Sequence, residues 1–391
     1  MAYYLEKSML NSITNTRIII LLFVIFSVIS VSAQSLDWQG QVSCWLTANP
    51  DHTLESQIGL RYIPTISLQN MINDNYQFDS EFAGNAYSVA DYYSDSDNKI
   101  YGKIKPYRLW FRFTSNQFEL RAGLQKINFG SATILRALMW FDRIDPRDPV
   151  QLTDGVYGLL GRYYFLNNAN IWLWGLYGND ETKGWEIFSS DEDKPEFGGR
   201  IQVSLWTGEI AITGHHRMAK VEDYDQGLIN SSDTFSENRL ALDGKWDIGV
   251  GVWFESVLNH LDIDSTLLRY NRMFNLGMDY TFDFGNGLHI LTEYLRVDMS
   301  DEPFRSGRPA SLAALSLNYP VGLLDNLNAI FYYDWSNENM YRFVSWQRAY
   351  DQWIFYVIGF WNPDQFQIYQ NQKDKNLFTG KGFQFMIVFN H

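Results

Sequence analysis

The chain has 391 residues, 46% hydrophobic and 17% aromatic, with a formal net charge of −14 and one cysteine. The acidic balance argues against nucleic acid as a partner, and a lone cysteine excludes an internal disulfide. The 14 Trp, 24 Tyr and 27 Phe suit a surface that is apolar on one side and wet on the other.

At the N-terminus, Lys7 and Arg17 precede the apolar run Ile18–Phe26, which fades into small residues ending Val31-Ser32-Ala33. A basic region, a short apolar core and a small-residue site predict a secretory signal peptide over 1–33. The core is shorter than the roughly 20 residues that a spanning helix needs. Cys44 lies well past it, which argues against a lipidated N-terminus.

Residues 34–391 form a succession of short segments in which apolar and polar residues alternate. Arg200-Ile201-Gln202-Val203-Ser204-Leu205 is the clearest, and Phe383–Phe389 is the last. Period two places successive side chains on opposite faces of a strand. About 18 strands are predicted, with 16 as the alternative count: 37–47, 56–68, 76–88, 104–114, 117–129, 156–166, 169–178, 195–206, 208–218, 237–246, 248–258, 271–282, 286–297, 309–319, 325–336, 340–348, 352–362 and 381–390. Links after even-numbered strands are short, such as Ser115-Asn116 and Phe284-Gly285. Those after odd-numbered strands are mostly long, such as 130–155 and 179–194. Such sorting predicts an all-β fold, a closed antiparallel transmembrane β-barrel with short turns at one rim and long loops at the other. The apolar run Trp353–Trp361 fits either a contact between protomers or a strand covered on its inner side by a plug.

Arg121-Ala122-Gly123-Leu124-Gln125, ending near Phe129-Gly130, precedes a stretch rich in Phe141-Asp142, Asp145-Pro146 and Asp148-Pro149. This arrangement resembles porin-like outer-membrane barrels of the alginate-export type and related uncharacterised families, over roughly residues 121–166. Phe129 stands where Trp is common in them, and the chain ends Phe389-Asn390-His391 where many such barrels end on Phe. The resemblance implies a pore for anionic or sugar-like solutes.

Segment 131–155 is too long and too apolar for an exposed loop. It is expected to fold into the lumen as a constriction carrying Arg136, Trp140, Asp142, Arg143, Asp145, Arg147 and Asp148. A short helix is expected over Ile134–Trp140, and the two prolines stiffen the return.

Alternation assigns Leu109, Phe111, Phe113, Phe118, Leu120 and Leu124 to the lipid side. A basic lumen wall follows, with Arg108, Arg112, Arg121, Arg162 and Arg200, beside Glu119 and Gln125. Lys or Arg facing lipid at mid-depth costs about 2–4 kcal/mol, which gives the assignment energetic force. The other half of the chain places Glu209, Glu255, Asp279, Glu293 and Asp334 inward, an acidic wall with Arg239, Asp243 and Lys245 among them. Opposed walls orient polar solutes, whereas internal ion pairing of the same groups only stiffens the barrel.

No nucleophile elbow, phosphate loop or His-Glu-x-x-His motif occurs, and the six His show no metal-ligand spacing. His289 and Glu293 share a face but lie about 13 Å apart at the strand rise. Neither an enzyme, a cofactor nor a metal is expected. The expected role is an outer-membrane channel for small polar or anionic solutes, with lipid as its surroundings. The alternative is a closed structural or surface-binding barrel, and oligomeric state stays open.

Overall fold

The computed structural model describes residues 35–50, 52–221, 234–263, 269–363 and 378–391. The export segment expected over 1–33 lies outside them. In chain order the strands are β1 (Ser35–Ala48), β2 (Leu54–Asn73), β3 (Tyr76–Tyr93), β4 (Lys99–Ser115), β5 (Phe118–Gln125), β6 (Val156–Tyr164), β7 (Asn170–Leu176), β8 (Ser189–Ser190), β9 (Glu196–Leu205), β10 (Gly208–Lys220), β11 (Thr234–Asp247), β12 (Gly251–Leu261), β13 (Tyr270–Phe282), β14 (Leu288–Ser300), β15 (Arg308–Pro320), β16 (Asp325–Asp334), β17 (Asn339–Ala349), β18 (Trp353–Trp361) and β19 (Lys381–Asn390).

Each wall strand pairs antiparallel with the next, and β1 also pairs with β19 from Gln41↔Asn390 to Ala48↔Phe383. The sheet therefore closes and leaves no edge. The two residues of β8 only add to the rim of β10 at Ala219 and Lys220, while β7 pairs directly with β9. Nineteen strands less β8 leave 18 in the wall.

Burial follows the sequence period. In β10, Ala211, Thr213, His215, Arg217 and Ala219 are buried inside while Ile212 is exposed outside; in β11, Leu240 and Leu242 are exposed. The outer surface carries Leu46, Ile58, Leu60, Phe274 and Leu276 as well. No helix is long and apolar enough to cross a membrane among the described residues, and crossing by strands is a separate matter.

Three expectations need correction. First, β3 and β4 continue to a tip at 94–98, with β3 still paired to β2 on its other side as far as Tyr93, so the link is much shorter than 89–103. Ladder pairing such as Val89↔Tyr101 and Asp91↔Lys99 carries the strands past the expected ends. Second, β5 stops at Gln125 and not at 129. The Gln125 amide donates to Gly158 O at 3.0 Å, and the chain beyond it turns into the lumen. Third, polar-inside alternation fails over part of the wall. Val257, Met273, Leu291, Leu295, Ile330, Tyr332, Tyr341 and Phe343 turn inward and join the apolar residues of the long loop 126–155 in one core. Tyr356, Ile358 and Phe360 of β18 also face inward and are buried, Phe360 in the core that holds the loop and Tyr356 and Ile358 in a second cluster that Val150 of the loop packs against.

Candidate functional site

The inward loop, residues 126–155, is the centre of the interior. Ile127, Leu135 and Ala137 have no exposed surface, and Phe129, Trp140 and Phe141 pack with Trp174 of β7 and the His215 ring of β10. Burial on this scale contributes about 1.5–3 kcal/mol for each large apolar side chain.

The loop's backbone is held by two carboxylates of the wall. Glu255 Oε1 accepts from the N–H groups of Ser131 and Ala132 at 2.8 and 2.9 Å, and its Oε2 accepts from Leu138 N at 3.0 Å. Glu293 accepts from Thr133, Ile134 and Leu135 N at 2.6, 3.1 and 2.5 Å. Asn275, on the strand between them, donates to Leu135 O at 2.9 Å. The helix expected over Ile134–Trp140 is absent: this stretch is irregular. N–H groups that would open a helix are aimed at fixed anions on the wall instead. Gly130, at φ +95°, makes the approach feasible, since a Cβ there would collide with Glu255 Oε1.

A second loop, 177–195, closes over the first. Trp185 donates its indole N–H to Arg136 O at 2.7 Å, and Gly184 N donates to Asp142 O at 3.1 Å. Glu186 reaches Arg239 at 2.6 Å and Arg217 at 3.3 Å, and both arginines also pair with Glu237. Within the first loop, Arg136 forks onto Asp142 at 2.8 and 3.1 Å, and Arg147 onto Asp145 at 2.7 and 2.5 Å. Arg143 donates to Thr182 of the second loop at 2.6 Å.

Arg108, Arg112, Arg121, Arg162 and Arg200 each meet a partner on the wall or the loop. Arg112 meets Asp79 at 2.8 Å, Arg121 and Arg162 share Glu119 at 3.0 and 3.4 Å, and Arg200 pairs with Asp243 at 2.6 Å. Arg108 donates to Thr153 O at 3.0 Å and ties down the return of the loop. The acidic residues do not form one wall. Glu255 and Glu293 bind the loop. Glu209 accepts from Gln202 at 2.6 Å in an exposed position, and Asp279 lies 3.9 Å from His289. Asp334 caps its own turn by accepting from Ser336 N and Asn337 Nδ2.

Sequence alternation missed Lys103 and Lys105. A register shift between Ala83 and Gly84, opposite Pro106, inverts the parity of β4, so Lys103 and Lys105 share the inner face with Arg108 and Arg112. Pro106 was the available signal, because proline inside a strand marks a bulge or an edge. Lys105 pairs with Asp154 at 2.5 Å. Burial pushes the Asp154 carboxyl up, but the Lys105 ammonium outweighs it and holds the group below the ordinary carboxylate range. Burial also lowers Lys183 nearby, partly offset by Glu181. These groups line a cavity of about 170 Å³ beside the loop. A second cavity, of about 180 Å³, lies between Arg147 and Asp148 on the loop and the inner face of β15–β18. Among the described residues no three His, Cys, Asp or Glu side chains converge as metal ligands.

No protein-family model matches the sequence, and no curated protein matches it. Solved structures do match in fold. OccD3 (OpdP) of Pseudomonas aeruginosa is 11% identical at a TM-score of 0.58, over 92% of this chain and 91% of that one. OccAB1 of Acinetobacter baumannii is 9% identical at 0.54, over 92% and 96%. OmpT, an outer membrane protein of Vibrio cholerae, is 12% identical at 0.51, over 91% and 99%. These likenesses show a shared fold, the closed porin-like barrel.

Proposed function

We propose that this chain is a channel of the bacterial outer membrane through which small polar solutes diffuse, with lipid around the wall and the loop 126–155 as its constriction. The observation that carries the reading is the pairing of a closed, greasy-outside wall with polar cavities left open beside a pinned loop. A loop held by six backbone N–H bonds to fixed carboxylates narrows a lumen without blocking all of it. Lys103, Lys105, Arg112, Arg121 and Arg162 lie along one side, a lane that favours anions in a low-dielectric enclosure. An alginate-export kinship remains part of this proposal and rests on the stretch of roughly 121–166. The segment 1–33 is its proposed export signal.

A second reading has its own observation. The apolar core that joins the loop to β12–β17 fills much of the interior, as a closed structural barrel would. Planar-bilayer recording separates the two. Discrete conductance steps from purified protein support the channel, and a bilayer that stays silent through repeated insertions supports the closed barrel.

A further inference from the structure

The inner face of β15–β17 near the 180 Å³ cavity differs from the rest of the lumen, because it carries amides and a hydroxyl in place of charges. Asn318, Asn328 and Ser345 form one cross-strand row, and Asn326 and Gln347 form the next. Cross-strand partners in a ladder share a face, so all five point to the interior with the cavity that they line. The side chains of Asn318, Asn326, Ser345 and Gln347 make no hydrogen bond among the described residues, and the buried Asn326 Oδ1 has no partner. The one bond in the group is Ser316 Oγ to Asn328 Oδ1, at 3.4 Å. These part-exposed amides open onto the cavity with hydrogen-bonding capacity to spare for a polar guest.

Across the cavity stand Arg147 and Asp148. Arg147 is neutralised by its fork onto Asp145, and its guanidinium also lies over the Phe343 and Phe378 rings at 5.5 and 5.4 Å. Phe343, Tyr356, Ile330 and Ile358 line it as well, with Pro146, Pro149 and Gln151 on the loop side. The space holds on the order of ten waters.

We infer that this cleft is a binding site for uncharged, hydroxyl-rich solutes of monosaccharide type, placed beside the constriction. Each amide offers donors and an acceptor together, which matches a hydroxyl that both gives and takes hydrogen bonds. A ring with polar edges and C–H faces suits a wall that alternates amides with aromatic and aliphatic surface. A carboxylate gains little here, since the one guanidinium among the described lining residues, Arg147, is already paired. The inference rests on the channel reading for its role in permeation, but binding itself does not need conduction.

The test compares glucose with glucuronate and glucosamine, one ring in three charge states. Saturation-transfer NMR on the detergent-solubilised barrel reads binding, and current noise and block in planar bilayers read passage. Glucose is expected to bind better than either charged analogue. Asn328→Leu and Gln347→Leu should each weaken glucose about five-fold, the loss of one hydrogen bond. Ser345→Ala, a gentler change, should weaken it in the same direction, which keeps the test decisive if a leucine variant fails to fold. Folding is checked by heat-shifted gel migration. Binding without conductance would leave the cleft standing and remove the channel. Conductance without glucose binding, or glucuronate binding best and indifferent to all three substitutions, would overturn the cleft and leave the channel standing.

Discussion

Glu255 and Glu293 divide the backbone of one loop between them: each accepts three N–H groups of segment 131–138, and Asn275 stands on the strand between them. Neither carboxylate has a Lys or Arg ion-pair partner among the described residues. The loop's position is thus set by anion-to-backbone bonds, whose strength depends on the charge remaining in place.

Removing both carboxylates should free the loop. In Glu255→Ala/Glu293→Ala, six N–H groups lose their acceptors, and the four on the buried residues Ala132, Ile134, Leu135 and Leu138 each cost about 1–3 kcal/mol if left unpaired. The loop is expected to leave its seat rather than bear that cost. Single-channel conductance should rise and become noisy, and trypsin should cut after Arg136 or Arg143 in the intact barrel. Unchanged conductance and a resistant loop would show that the apolar core alone holds it.

The wall strands were legible because period two survives wherever lipid lies on one side and water on the other. Arg200–Leu205 is such a case, and β9 covers it. Legibility failed where a third phase, the loop, entered. Parity with Glu293 and Asp334 puts Leu291 and Tyr332 on the inner face, but nothing local says what covers an apolar side chain there, since their apolar partners lie far away in sequence. The same distance hid the helix failure at Ile134–Trp140, because helix propensity carries no knowledge of carboxylates about 120 to 160 residues downstream. The parity inversion at Pro106 was readable in principle, and it moved Lys103 and Lys105 to the inner face. The acidic wall failed as a unit because alternation fixes a side chain's face but not its partner.

Arg200 and Asp243 form a buried fork at 2.6 and 2.7 Å. Asp243→Asn should destabilise the barrel by about 3–5 kcal/mol by stranding a buried guanidinium. Arg200→Met/Asp243→Leu should be much milder, since no charge is left unpaired. Urea unfolding followed by tryptophan fluorescence distinguishes the two. If both variants lose the same amount, the sites are packing positions and not a coupled pair.

Charge on the basic lane should set ion preference. Arg112, Arg121 and Arg162 stand among Asp79, Glu81 and Glu119, three cations against three carboxylates. Arg121→Gln/Arg162→Gln leaves one cation against three carboxylates. The chloride-to-potassium permeability ratio, taken from reversal potentials in a salt gradient, should fall about two-fold or more at low ionic strength and less at high salt. A ratio that does not move would place the current path away from β5 and β6.

Acid should shift the same ratio the other way through Asp148. Burial raises this carboxyl above the ordinary range, with Asp145 adding to the rise, while Val150 N and Arg61 oppose it. As pH falls through that raised value, Asp148 takes up a proton and the cavity beside Arg147 loses a negative charge. Selectivity should therefore turn toward anions at a pH where ordinary exposed carboxylates are still ionised. The stability sign follows: the folded state binds the proton more tightly than the unfolded chain. Stability contributed by protonated Asp148 is full below the unfolded value and is lost as pH rises through the folded one. Asp148→Asn keeps an acceptor for Val150 N, at 2.9 Å in the native loop, and removes the charge. That variant should show the low-pH selectivity at every pH and a loop no less protected from protease at neutral pH. A pH response as large in Asp148→Asn as in the native chain would assign the titration to another group.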